Sequence, residues 1–339
     1  MKTTPFEPVR CVVVGLGEMG RLHAAALAAT PLAELAAVCD TSPRAIEQRP
    51  VPAPAFASLE AALEQTPSLE AAIVCTPPDR HLEPVRQAMD AGLQVLCEKP
   101  LATSRHDADA LLELADAAPG RLAVGHLRRF DPRFIALAQA IEQGRIGRPI
   151  EMSAGITCPR ADARRLAASV SLALELAIHD LDAIRWLGGA RVERVHAEAL
   201  DVFPTAGPDA LVATARLESG AVASLHESWA MADEVAIDWE FRFRVVGTTG
   251  VAEIDGRDRG VTVFDAGRSA PMHPDTMLWP SGSGGAATGA LESELRHFLQ
   301  HVRDGRPWPV SVGEAREAVL AALALDRSLA AGAPVDVEI

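Results

Sequence analysis

The chain has 339 residues, which is long for one ordinary core, so two domains are expected. Its formal net charge of −14 excludes a general nucleic-acid binder, which needs a basic footprint, and excludes docking on anionic lipid. Hydrophobic residues make up 48% of it, yet no apolar run approaches the roughly 20 residues that cross a bilayer, so it reads as a globular, cytoplasmic protein with no membrane partner.

In chain order, the opening "MKTTPFEPVRCVVVGLGEMG" has the outline of a signal peptide. Its apolar core is only "CVVVGLG", and cleavage there would destroy a glycine motif. Apolar runs then alternate with helical stretches as far as residue 126. The runs are "CVVVG" (11–15), "LAAVC" (35–39), "AAIVC" (71–75), "QVLC" (94–97) and "LAVGH" (122–126), with helices expected near 18–29, 58–65, 79–91 and 104–117. Strands this apolar on both faces imply a doubly wound parallel sheet, whose ligand sits beyond the carboxyl ends of its strands.

The first run leads into "GLGEMG", with Gly15, Gly17 and Gly20 in G-x-G-x-x-G register and Glu18 and Met19 opening the helix. Gly15 permits a tight turn, Gly17 lets a pyrophosphate approach the backbone, and Gly20 allows close helix packing. Asp40 ends the second run, 20 residues after Gly20, where a carboxylate accepts hydrogen bonds from ribose hydroxyls and repels a 2′-phosphate. NAD is therefore expected, with NADP possible because Arg44 lies close in sequence. FAD shares the fingerprint, but no second flavin-holding motif follows.

"CTPPDRH" (75–81) and "CEKP" (97–100) follow two further runs and bring Thr76, Pro77, His81, Glu98 and Lys99 to the same edge of the sheet. Prolines there stop the ladder and set rigid turns. Lys99 stands out on composition: of 32 basic residues only it and Lys2 are lysines. The five cysteines show neither a C-x-x-C pair nor metal-ligand spacing, so no disulfide and no metal on them are expected, while a His/Asp/Glu metal site stays open. The absence of tyrosine excludes a Tyr-x-x-x-Lys dehydrogenase.

In the second half, strands are expected at 150–158, 192–200, 210–217, 221–228, 241–246, 251–255 and 261–264, and helices near 172–187, 289–304 and 313–331. Asp131 before Pro132 reads as an N-cap and a first-turn proline. Residues 121–165 hold nine arginines against four acids, and Arg160, Arg164 and Arg165 follow a strand where guanidinium groups can clamp an anion or simply form a solvated face. Trp229 and Trp239 suit either stacking on a sugar ring or a core. The glycine-rich stretch 279–289 reads as a lid or a linker.

With "GLGEMG", "CTPPDRH", "CEKP", "GHLRRFDP" and "LELAIHDLDAIRWLGG", the chain resembles the Gfo/Idh/MocA oxidoreductases over essentially its whole length. The resemblance implies an N-terminal Rossmann domain (1–127) and a C-terminal α/β domain with a large, mostly antiparallel sheet (128–339). The C-terminal helix is expected to pack back on the first domain. It gives Lys99 a place between nicotinamide and substrate, and makes His179 the general acid/base that exchanges the hydroxyl proton. It adds Glu175 as support, standing where the family usually has aspartate, and Arg160 and Asp182 as substrate contacts. The implied activity is hydride transfer between NAD(P) and the secondary alcohol of a sugar, cyclitol or sugar acid, in a homodimer or homotetramer. Inositol dehydrogenases commonly show a His-Arg-Asn run where this chain reads "PRA" (159–161), which points away from myo-inositol itself. Two alternatives share the fold: a glycosidase that uses NAD for transient oxidation and elimination, and a non-catalytic NAD- or sugar-binding regulator.

Overall fold

The computed structural model describes residues 7–235, 239–256 and 289–339. Of these, 7–130 with 289–313 form one compact unit, and the remainder form a second.

The first unit opens with β1 (Val9–Val14), α1 (Glu18–Ala29), β2 (Ala33–Cys39), α2 (Pro43–Glu47), β3 (Ala55–Phe56) and α3 (Leu59–Gln65). It continues with β4 (Ala71–Val74), α4 (Leu82–Asp90), β5 (Gln94–Glu98), α5 (Arg105–Ala117) and β6 (Leu122–Gly125). Serine side chains start three of the helices by accepting a backbone N–H: Ser42 from Ala45, Ser58 from Ala61 and Ser104 from Asp107. The strands run parallel in the order β3-β2-β1-β4-β5-β6, the doubly wound arrangement, with the order reversing between β1 and β4. The expected five-strand reading lacked β3, whose two residues pair with Val38 and Cys39 at the sheet edge.

The second unit follows with α6 (Pro132–Glu142), β7 (Pro149–Pro159), α7 (Arg160–Leu166) and α8 (Ile178–Gly188). Asp131 caps α6, its carboxylate accepting from the Arg133 amide at 2.9 Å and pairing with the Arg133 guanidinium at 2.6 Å. Next come β8 (Val192–Leu200), β9 (Ala210–Leu217), β10 (Val222–Met231), β11 (Glu240–Gly247) and β12 (Val251–Asp255). The chain closes with α9 (Ala290–Asp304), α10 (Val312–Ala331) and β13 (Val335–Asp336). The sheet runs β12-β11-β7-β10-β9-β8-β13, antiparallel except between β7 and β10. β9 alternates buried and exposed side chains along its length, as expected of a sheet with one covered face. The strand expected at 261–264 and most of the 279–289 stretch lie outside the described residues.

One expectation changes, and one open choice is decided. The second domain was read as one run from 128, but α9 belongs to the first unit. The reason is its apolar stripe, Leu291, Leu295, Phe298 and Leu299, of which the last three enter the core formed by Val13, Ile73 and Leu96. Polar anchors join in: Arg303 donates to both Glu70 oxygens (2.5 and 3.0 Å) and His301 Nε2 lies 2.6 Å from the Gly120 carbonyl. Trp229, weighed as a sugar platform, is only 1% exposed, and its Nε1 donates to the Pro208 carbonyl at 2.8 Å. It is a core residue.

Candidate active site

Strand register assembles the edge where a ligand would sit. Cys39, Val14, Val74 and Cys97 are mutual neighbours across β2, β1, β4 and β5, so the next residues, Asp40, Gly15, Cys75 and Glu98, form a row at the carboxyl ends. Lys99 follows Glu98 and is half-buried, and its bond to Pro100 is cis.

The glycine turn is built for close approach on two sides and left open on the third. Gly15 has φ +94°, and a Cβ there would lie 2.5 Å from the Cys75 carbonyl oxygen. A Cβ on Gly20 would lie 1.8 Å from the Gly15 oxygen, so α1 packs on the turn only through glycine. Gly17, by contrast, has nothing within 4 Å of where a Cβ would sit, and as the residue preceding α1 it supplies no side-chain cap. This cradle suits a pyrophosphate, which would complete the amides of the first helical turn. Glu18 is exposed beside it, and Met19 packs against Leu127, Ala290 and Leu291.

Asp40 shapes the same turn. Its Oδ2 accepts from the Leu16 amide at 2.7 Å and its Oδ1 from the Ser42 amide at 2.8 Å. Each carboxylate oxygen retains a lone pair for a ribose hydroxyl. Arg44 is exposed on α2.

His81 is a buried staple. Its Nε2 lies 2.9 Å from the Thr76 carbonyl and its Nδ1 3.3 Å from the Leu101 carbonyl, which ties the loop after β4 to the loop after β5. Burial lowers its pKa, against the raising pull of those carbonyls and of Glu98. The ring nitrogens are thus directed at protein, and His81 shapes the cradle through its backbone neighbours. Pro77 is exposed at the rim of this loop.

Beneath Lys99, Glu98 is 6% exposed. Its Oε2 accepts from the Lys99 amide at 3.1 Å, and its Oε1 lies 2.6 Å from His23 Nε2. Burial pushes this carboxyl up, but the His23 hydrogen bond and the charges of His23 and Lys99 outweigh it and hold Glu98 below its ordinary range. Neither His23 nor its neighbour Glu294 was picked out in the sequence. The available signal was a polar residue inside an apolar stripe: His23 shares the buried face of α1 with Gly20, Ala24 and Leu27, and Glu294 lies between Leu291 and Leu295 on α9.

In the second unit, His179 and Glu175 are half-buried and Asp182 is buried. The helix carrying them was expected to be regular from 172, but Ala173–Ala177 forms a π-turn, with the Ile178 amide reaching back to the Ala173 carbonyl. Such turns insert a residue into a helix and re-aim side chains, frequently at functional sites, and nothing in residue spacing announces them. Asp180, next to His179, is also buried. The three arginines after β7 do not act as one clamp. Arg164 pairs with Asp233, Arg165 with Asp162 at 2.9 Å, and the Arg160 guanidinium lies 4.5 Å from the Phe203 ring centre.

Comparison with known proteins settles the family. Residues 9–126 match the oxidoreductase family with an NAD-binding Rossmann fold, and residues 134–253 match the GFO/IDH/MocA C-terminal domain. The chain belongs to the Gfo/Idh/MocA family. It is 28% identical to the inositol 2-dehydrogenase of Rhizobium meliloti over 95% of this chain and 97% of that protein. It is likewise 28% identical to the scyllo-inositol 2-dehydrogenase (NAD(+)) of Bacillus subtilis over 98% and 97%. The fold superposes on the scyllo-inositol dehydrogenase of Lactobacillus casei, solved with bound NAD(H) and scyllo-inositol, with a TM-score of 0.83 at 23% identity over 97% of this chain and 99% of that one. As a member of the Gfo/Idh/MocA family the protein is an NAD-binding oxidoreductase.

Proposed function

We propose that the protein is an NAD-dependent dehydrogenase that moves a hydride between nicotinamide and a secondary C–OH of a cyclitol or related sugar. The observation that carries this reading is the row of strand ends in the first unit. It sets the open Gly17 cradle, Asp40 and Lys99 along one edge of the sheet at the point where strand order reverses. The inositol dehydrogenases among its relatives support the substrate class.

In this reading Asp40 holds the ribose hydroxyls and the amides at the start of α1 receive the phosphates. When bound, NAD supplies the hydride acceptor. The Lys99 ammonium donates to the reacting oxygen and stabilises the negative charge that develops as the C–OH is oxidised. His179 takes the hydroxyl proton, with Glu175 and Asp182 orienting the ring or the substrate and Arg160 contacting substrate from the start of α7. The balance is one alcohol and NAD⁺ giving one ketone, NADH and a proton.

The outward-facing apolar residues of the second sheet, Val212 at 52% exposure and Val251 at 49% among them, support a homodimer or homotetramer. The five cysteines stand as thiols, four of them buried, which suits a reducing cytoplasm. No helix of the described residues is long and apolar enough to cross a membrane.

The test is reduced-nicotinamide absorbance with cyclitols, aldoses and sugar acids, run with NAD and NADP separately. Turnover that prefers NAD and disappears in Lys99→Met supports the reading. NADH binding with no turnover on any of them would overturn it.

A further inference from the structure

Three titratable side chains from three elements meet inside the first unit. His23 on α1, Glu98 at the end of β5 and Glu294 on α9 are 0%, 6% and 1% exposed, and each contributes an atom within 4.8 Å of the other two. Gly125, paired with Glu98 across β5 and β6, lies beside them. A Cβ there would come within 3.6 Å of both Glu294 Oε1 and Glu98 Cδ. Glu98 is well supplied with donors, from His23 and from the Lys99 amide. Among the described residues, neither carboxyl oxygen of Glu294 has a hydrogen-bond partner, and neither does His23 Nδ1. The 2.6 Å contact with the Glu98 carboxylate puts a hydrogen on His23 Nε2, which donates to it.

Two carboxylates buried this close cannot both stay ionised, because each adds to the other's cost of leaving water. A cation between them would remove that conflict, but the geometry speaks against one. Two ligand atoms of one tetrahedral cation stand about 3.3 Å apart, given metal–ligand bonds near 2.0–2.1 Å. His23 Nε2 and Glu98 Oε1 are 2.6 Å apart, which is a distance bridged by a proton.

We propose that Glu98 and Glu294 form a one-proton pair, with Glu294 a carboxylic acid and Glu98 the carboxylate, which anchors the Lys99 amide and sets a single negative charge behind the Lys99 ammonium. The role given to Lys99 rests on the function proposed above; the charge state of the pair does not. Burial and the charge of Glu98 both raise the Glu294 carboxyl well above its ordinary range, in agreement. The other titratable groups facing the pair are His23, Lys99, His81, Cys75 and Cys97. Both thiols are themselves pushed up by burial and by Glu98, so they stay protonated and offer no compensating positive charge. Glu98 is then a positioning residue, acting on Lys99 through the amide that its carboxylate holds.

Infrared difference spectroscopy of the full chain at neutral pH tests the pair without any need for turnover. The expected result is a protonated-carboxyl C=O band in the wild type that is lost in Glu294→Gln. A wild-type spectrum with no such band, or a band that survives in Glu294→Gln, overturns the assignment. So does a stoichiometric divalent metal in the purified protein, which would ionise both carboxyls. The positioning half is read in folded Glu98→Gln. There kcat should fall about tenfold while the affinity for NADH holds, and the alkaline limb of kcat should move to lower pH as the negative charge is lost. An unchanged pH profile in that variant removes the positioning role. Absence of dehydrogenase activity altogether would sink the proposed function and leave the infrared result standing.

Discussion

Asp40 Oδ2 holds the amide of Leu16 at 2.7 Å, so the carboxylate expected to read the ribose also fixes the glycine turn that receives the phosphates. Selectivity and cradle shape are therefore joined in one side chain. Asp40→Ser should weaken NAD binding and, by removing the repulsion toward a 2′-phosphate, shift the NAD/NADP ratio of kcat/KM toward NADP by roughly tenfold. Steady-state kinetics with both cofactors checks it. A ratio that stays put would mean that Asp40 serves the turn alone.

Lys99→Met should lower kcat by about 10²–10³-fold, the usual cost of losing a donor aimed at developing negative charge. Cofactor affinity should remain, because Gly17 and Asp40 lie elsewhere along the row of strand ends. NADH fluorescence titration beside single-turnover rates separates the two effects. Loss of binding together with rate would assign Lys99 to the cofactor instead.

Gly20→Ala places a methyl 1.8 Å from a backbone oxygen, which no side-chain rotation can relieve. Stability should drop by on the order of 3 kcal/mol, with cofactor binding lost in parallel. Gly17→Ala meets no atom within 4 Å, so it should leave stability nearly unchanged while still obstructing the phosphates. Chemical denaturation and NADH titration of the pair give the contrast, and equal destabilisation would refute it.

Stability against pH should show two carboxyls pulling in opposite directions. Burial raises Glu70, but hydrogen bonds from Arg303 and the Arg10 amide outweigh it, and its folded pKa lies below the ordinary value. Its contribution is present above the unfolded value, near pH 4.3, and is lost as pH falls through the folded one. Glu294 has the reverse sign: raised in the folded state, it costs increasing stability as pH climbs above about 4.3. Glu294→Gln should thus raise Tm at pH 7 and give no gain at pH 4. Glu70→Gln should flatten the acid limb. Thermal melts across that range decide both.

Much of this was legible in the chain because burial writes itself into apolar runs. β1, β2, β4, β5 and β6 fall within one or two residues of their expected places, as do α1, α3 and α5. β3 was missed because two residues at a sheet edge have no periodicity to detect. The placement of α9 was missed for another reason: an amphipathic stripe tells that a helix packs, not which core receives it. The π-turn before α8 leaves composition untouched, and Trp229 showed that an aromatic in a strand reads equally as platform or core until its depth is known. His23 and Glu294 were hidden by the same limit, since their significance lies in meeting Glu98 and not in any local pattern.

The return of α9 has a consequence for how the molecule is made. A ribosome that has finished β6 has emitted five helices and six strands of the cofactor unit, yet Leu295, Phe298 and Leu299 are still untranslated. The nascent unit must wait, with one side of its core uncovered, while β7 to β12 of the second sheet are synthesised. A gene fragment ending near residue 130 should accordingly give an insoluble product, and transplanting the cofactor unit into another enzyme requires grafting two separate stretches of sequence.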